Sequence, residues 1–231
     1  MSPPIRRTAA LIFVAGLLLA LGLAARLSRG GAGTAGADDA SLAGVVLAEP
    51  MPKPAFTLDD TEGRPFRFQE RTAGKLALLF FGYTRCPDVC PVHMANLAAV
   101  LDDLPREMRE QIVVVFVSAD PERDTPERIR EWLDAFDRRF IGLRGSLEEV
   151  NAILAELRLA PVVHGQPDAD GDYVVGHPAQ ILAFTPDGLL RALYPFGTRQ
   201  ADWARDLPRL LRFTAAGTLE SSTQPRSSRE S

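Results

Sequence analysis

Leu79-Phe80-Phe81-Gly82-Tyr83-Thr84-Arg85-Cys86-Pro87-Asp88-Val89-Cys90-Pro91 is an apolar run that ends in the only two cysteines of the chain. Leu76 to Tyr83 has the length and unbroken apolarity of a strand buried on both faces. A helix is expected from about Cys90 to Leu101, with Pro91 tolerated in its first turn. The Cys-x-x-x-Cys pair therefore opens onto a helix start, where unpaired backbone N–H groups and the positive end of the helix dipole favour a thiolate. Positions four apart share a helix face, so both sulfurs could converge on one ion. They could equally close a Cys86–Cys90 disulfide if the first turn adjusts. A lone cysteine is most often a small buried hydrophobe. Two at this spacing, flanked by prolines and following a strand, point to chemistry. A cross-link across so small a loop stabilises little, which sets aside a purely structural disulfide.

Working outward, Phe56-Thr57-Leu58-Asp59 and Pro65-Phe66-Arg67-Phe68 alternate like two short strands joined by the turn residues Asp60 to Gly63. Ile112 to Ser118 reads as a second buried strand. Asp124-Thr125-Pro126-Glu127 is a helix-start signature ahead of Trp132, Leu133 and Phe136. Phe140 to Leu143 is a further short strand, and Ser146-x-x-Glu149 a capping box before Val150, Ile153, Leu154 and Leu157. Ala160 to Gly176, with its prolines, glycines and aspartates, leaves the core. Gln180 to Phe184 and Leu189 to Leu193 form a hairpin around Thr185-Pro186-Asp187-Gly188, and an amphipathic helix spans about Gln200 to Phe213. The order ββ, three βα units, then ββα implies a layered α/β protein: a thioredoxin-like fold whose central mixed sheet is flanked by helices and carries an N-terminal β-hairpin. Such sheets keep their sites at the carboxyl ends of the central strands, where the cysteines fall.

Both ends differ in character from this domain. Thr8 to Ala25 is uncharged and rich in Leu and Ala, with Arg6 and Arg7 before it and Arg26 and Arg29 after. That pattern is a membrane anchor or signal segment (residues 1–27) with a cytoplasmic N-terminus, favoured as an uncleaved N-terminal membrane helix. Residues 28–49, rich in Gly and Ala, read as a flexible linker, and 215–231 as a disordered tail. The folded domain is then 50–214. A net charge of −4 over 231 residues lacks the concentrated basic face that nucleic acid demands. Only Lys53 and Lys75 among the 26 basic residues are lysines, a skew from which no function follows.

Two thiolates leave a copper or zinc site incomplete, and the chain has three histidines. His93, three residues past Cys90, could close a local site or be a surface helix residue. His164 lies in the Pro/Gly excursion and is expected in solvent. His177, just before the strand that opens the terminal hairpin, enters from a loop that faces the cysteine turn in a thioredoxin-like sheet. A Cys₂His set is soft enough for Cu(I), while its imidazole also supports Cu(II). Zinc is possible on ligand type, although a structural zinc site normally takes a fourth ligand.

Gly82-Tyr83-Thr84-Arg85-Cys86-Pro87-Asp88-Val89-Cys90-Pro91 resembles the copper motif of the Sco/SenC family. Ser118 to Pro126 and Phe140 to Ser146 are similar to two further signatures, and His177, nine residues before Pro186-Asp187-Gly188, stands where the family's histidine ligand stands. The similarity covers about residues 52 to 212. It implies a membrane-anchored copper metallochaperone that delivers copper to the dinuclear centre of cytochrome c oxidase, or keeps that centre reduced. Carried over, Cys86, Cys90 and His177 are the copper ligands, Asp88 holds the turn or meets a partner, and the Asp120/Asp124 segment is architectural through capping, with a partner role as the lesser alternative. The family usually has Asp before the histidine and a small polar residue after it; this chain has Gly176 and Pro178.

The implied partners are the copper-bearing subunit of cytochrome c oxidase, a thiol reductant and another copper chaperone. The implied location is a bacterial inner membrane, with one N-terminal span and the soluble domain in the periplasm. The alternative is a thiol–disulfide oxidoreductase in which Cys86 attacks and Cys90 resolves.

Overall fold

The structure, a computed structural model, describes residues 41–169 and 171–213. Its centre is an eight-stranded mixed sheet of β1 (Val45–Pro52), β2 (Thr57–Asp60), β3 (Pro65–Arg67), β4 (Leu76–Gly82), β5 (Ile112–Ser118), β6 (Ile141–Arg144), β9 (Ile181–Phe184) and β10 (Leu189–Tyr194). The spatial order is β1-β10-β9-β4-β5-β6-β2-β3. β4, β5 and β6 are parallel, with β4 and β5 in register from Leu76↔Ile112 to Gly82↔Ser118. β9 runs antiparallel to β4, and β10 and β1 continue antiparallel to the edge. β7 (Val163–His164) and β8 (Val175–Gly176) form a separate antiparallel ladder.

The helices are α1 (Phe68–Arg71), α2 (Val89–Asp103), α3 (Arg106–Arg109), α4 (Pro126–Asp134), α5 (Leu147–Glu156) and α6 (Gln200–Leu210). Parallel strands need crossovers, and these helices supply them while covering the apolar strands. All seven residues of β4 are buried. α4 begins where Thr125 caps it, its hydroxyl accepting from the Arg128 N–H at 3.2 Å, with Pro126 in the first turn. α5 begins in the expected Ser146/Glu149 capping box. From α6, Trp203 stacks on Tyr194 with ring centres 4.0 Å apart. The result is a mixed α/β, thioredoxin-like fold.

Two elements lie outside the expected pattern. β1 begins at Val45, inside the stretch read as linker, and most of its residues are exposed. As an edge strand it is held by backbone pairing to β10, which needs no apolar pattern. The β7–β8 ladder forms within the Ala160–Gly176 excursion from two residues per strand. The expected membrane helix, most of the linker and the tail lie outside the described residues. Among those described, no helix is long and apolar enough to cross a membrane.

Candidate metal centre

β4 delivers the cysteine turn. A Cβ on Gly82, at the strand's end, would stand 2.7 Å from Phe80 and 2.9 Å from the Cys90 sulfur, so the strand can approach that sulfur only as glycine. Thr84 then anchors the turn. Its N–H donates to Asp124 Oδ2 at 3.1 Å and its hydroxyl to Oδ1 at 2.6 Å, while Ser118 Oγ donates to Oδ2 at 2.7 Å. Burial pushes the Asp124 carboxyl up, and the bonds it accepts from Thr84 and Ser118 pull it back. Asp124 therefore is architectural, but through this network and not through capping; Thr125 is the cap.

α2 starts at Val89, so Cys86 lies in the turn ahead of it and only Cys90 is helical. The sulfurs therefore converge through the turn and not along one helix face. Cys90 S–H donates to the Cys86 sulfur, and the Asp88 and Cys90 backbone N–H groups also stabilise that sulfur. These bonds outweigh burial and hold the Cys86 thiol far below the usual thiol range. The Cys90 thiol is pushed up, first by donating to Cys86 and then by burial. Cys86 is thus the sulfur that the turn favours as a thiolate. Both cysteines are free; Cys86 is half-buried and Cys90 buried.

His177 arrives from the opposite side, directly after β8. Its Nε2 lies 3.7 Å from the Cys90 sulfur, and the donor atoms of Cys86, Cys90 and His177 all fall within 4.8 Å of one another. Nδ1 lies 3.1 Å from the Pro178 carbonyl, to which its N–H donates, leaving the Nε2 lone pair toward the sulfurs. The acceptor that orients the ring is a backbone carbonyl, with Gly176 in place of the family's carboxylate. Phe80 and Tyr83 hold the imidazole edge-on, with ring centres 5.9 and 5.6 Å away.

The other expected residues fall elsewhere. His93 is neither a ligand nor a surface residue: it is buried, and its Nε2–H donates to the Ala179 carbonyl at 2.9 Å. His164 is not left in solvent; its Nε2–H donates to the Ala119 carbonyl at 3.2 Å and its ring lies against Tyr173. Asp88 is exposed and precedes α2 without a side-chain capping bond.

Sequence reasoning missed the anchor of the histidine arm. Arg123 lies over the Tyr173 ring at 3.6 Å, donates to the Tyr173 carbonyl at 2.9 Å and pairs with buried Asp120 at 2.5 Å. Tyr173 OH also donates to Asp120 at 2.8 Å. Asp172 accepts from Arg85, beside Cys86, at 2.8 Å. An open cleft of about 590 Å³ runs past Tyr83, Arg85, Pro87, Tyr173 and Val174. No periodicity in the excursion marks Asp172 or Tyr173, so nothing in the sequence alone could have found this anchor.

A thioredoxin-like sheet that brings two thiols and one imidazole to a single point defines a protein of soft-metal or thiol chemistry. Two sulfurs and one imidazole nitrogen fit a copper ion by donor type. The SCO1/SenC family model matches residues 48–212, and the chain belongs to that family. A Stutzerimonas stutzeri protein described as copper-binding is 35% identical over 158 residues, covering 68% of this chain and 76% of its own. The solution structure of apo Sco1 from Thermus thermophilus is 35% identical with a TM-score of 0.66, over 74% of this chain and 98% of that one. ScoI of Bradyrhizobium japonicum, solved with copper bound, is 33% identical with a TM-score of 0.61, over 70% of this chain and 100% of that one. The match spans only 35% to 60% of longer eukaryotic relatives.

Proposed function

We propose that this protein is a copper metallochaperone that takes copper on Cys86, Cys90 and His177 and passes it to the dinuclear copper centre of cytochrome c oxidase during assembly. The observation that carries the reading is the convergence of those three donors within 4.8 Å. Its support is membership of a family in which the Bradyrhizobium japonicum relative was solved with copper bound. Copper is cargo here. The Cys86 thiolate is ready to receive it, Cys90 gives up its proton on binding, and His177 supplies a nitrogen that can leave without breaking the thiolate pair. Exchange to the recipient's thiolates then releases the ion. Thr8 to Ala25 would anchor the chain in a bacterial inner membrane, placing the domain in the periplasm. That compartment would drive the cysteines to a disulfide, so the role requires a thiol reductant as a partner.

One observation favours a second reading, a thiol–disulfide reductase: Cys86 is half-buried in the turn ahead of α2, while Cys90 is buried behind it within the helix. The Cys86 thiolate would attack a target disulfide and expel one target sulfur as a thiolate. Cys90, losing its proton, would then attack Cys86 and free the other. The target gains two electrons, and Cys86–Cys90 is oxidised.

His177→Ala separates the readings. For the anaerobically reduced full-length chain, Cu(I) affinity against a competing chromogenic ligand should be tight at one ion per chain and fall in the variant by more than the roughly 100-fold that losing a ligand-orienting group costs. Affinity indifferent to His177, with disulfide exchange intact in both proteins, would give the function to the reductase.

A further inference from the structure

His93 is a buried imidazole outside the ligand set, and its placement gives it a task. It sits on α2 one turn beyond Cys90, on the helix that carries that sulfur. Its Nε2 reaches 2.9 Å across to the carbonyl of Ala179, two residues beyond His177. The connection closes a small ring: Cys90 to His93 along α2, His93 to Ala179 through the hydrogen bond, Ala179 back to His177 along the loop, and His177 to Cys90 across 3.7 Å. Phe80 braces both imidazoles, with ring centres 5.1 Å from His93 and 5.9 Å from His177. Phe196 covers the far edge of His93 at 5.7 Å. The ring can therefore turn little, and its N–H has a fixed aim.

Support from the other direction is thin. β8 contributes two residues before His177, one of them Gly176, and Val174 just ahead of it is 73% exposed. Beyond His177 the chain reaches β9 only at Ile181, so Ala179 lies in the one stretch between the ligand and the main sheet. A carbonyl held there by a side chain from the cysteine helix ties the two arms of the site together without touching the ion.

We infer that His93 is a positioning residue: its hydrogen bond to the Ala179 carbonyl sets where His177 stands relative to Cys90, and thereby the strength of the third copper contact. The inference rests on the copper reading for its consequence but not for its geometry.

His93→Phe keeps an aromatic ring in the slot and removes the donor, whereas His93→Gln keeps a donor. In the full-length reduced chain, His93→Phe should weaken Cu(I) binding about 10–100-fold, the range for groups that orient a ligand, and His93→Gln should recover it. Added to His177→Ala, His93→Phe should cause no further loss, because the contact it governs is already gone. Equal losses in both backgrounds, or no loss in either, would overturn the inference.

A second measurement needs neither metal nor substitution. In the metal-free wild-type chain, NMR should find the His93 Nε2–H slowly exchanging and the His177 ring in a single ordered environment. A freely exchanging His93 proton would overturn the positioning role even if the protein binds copper tightly. If the wild type binds no Cu(I), the copper reading fails, and these resonances decide the geometry alone.

Discussion

The two arms of the site are built to different standards. The cysteine arm hangs from β4, all of whose residues are buried, and its turn is tied down by Asp124, a buried carboxylate accepting from Thr84 and Ser118. The histidine arm hangs from a ladder with two residues per strand, in which Val163 is 61% exposed and beside which Val174 is 73% exposed. Its tether is a set of side-chain contacts centred on Arg123 and Tyr173. Local opening is easiest where buried apolar contact is sparse. The difference suits a protein that must hold an ion and then give it up: the thiols are set by the core, and the imidazole is set by a few side-chain hydrogen bonds and ring contacts.

Substitutions in each arm can break this contrast. The largest stability effect is expected from Asp124→Ala, which strands the Thr84 N–H, the Thr84 hydroxyl and the Ser118 hydroxyl. Leaving such buried groups unpaired should cost about 3 kcal/mol in a urea unfolding experiment. A loss near zero would mean the cysteine turn is not held from below. Gly82→Ala comes next. Its methyl group must displace Phe80 or the Cys90 sulfur, so a loss of about 2 kcal/mol is expected. Weaker Cu(I) binding should accompany it, because the sulfur itself is moved. Tyr173→Phe, which removes one hydroxyl donor to Asp120 and leaves the Arg123–Asp120 pair intact, should be mildest for global stability, about 1 kcal/mol, and most local in effect. Hydrogen exchange should quicken at β7, β8 and the segment between them and stay unchanged in β4 and β5. Equal acceleration in the central strands would erase the distinction between the arms.

The same contrast explains how much could be read without coordinates. Leu76 to Tyr83 and the two cysteines announce themselves, because a strand buried on both faces must be continuously apolar and only a few chemistries want paired thiols at a helix start. Thus β4, β5, α5 and the convergence of Cys86, Cys90 and His177 were legible. The histidine arm was not. A two-residue ladder has no periodicity, and the contacts of Tyr173 with Asp120 and Arg123 span some 50 positions. Asp124 was assigned to capping because Asp-Thr-Pro offers two registers for a helix start; the distant Thr84, 40 residues earlier, decides between them. His93 reads from the sequence as a local ligand or a surface helix residue because its neighbours Pro91 and Val92 give no sign of which way the helix turns. α2 is buried on a broad face that takes in Cys90, His93, Met94 and Leu97. β1 was read as linker because its pairing is a backbone property.

Copper K-edge X-ray absorption on the Cu(I)-loaded full-length chain and its His177→Ala variant tests the central claim most directly. The wild type should show two sulfur neighbours and one nitrogen neighbour, and the variant should lose the nitrogen while keeping both sulfurs. A sulfur-only environment in the wild type, unchanged by removing His177, would contradict the account.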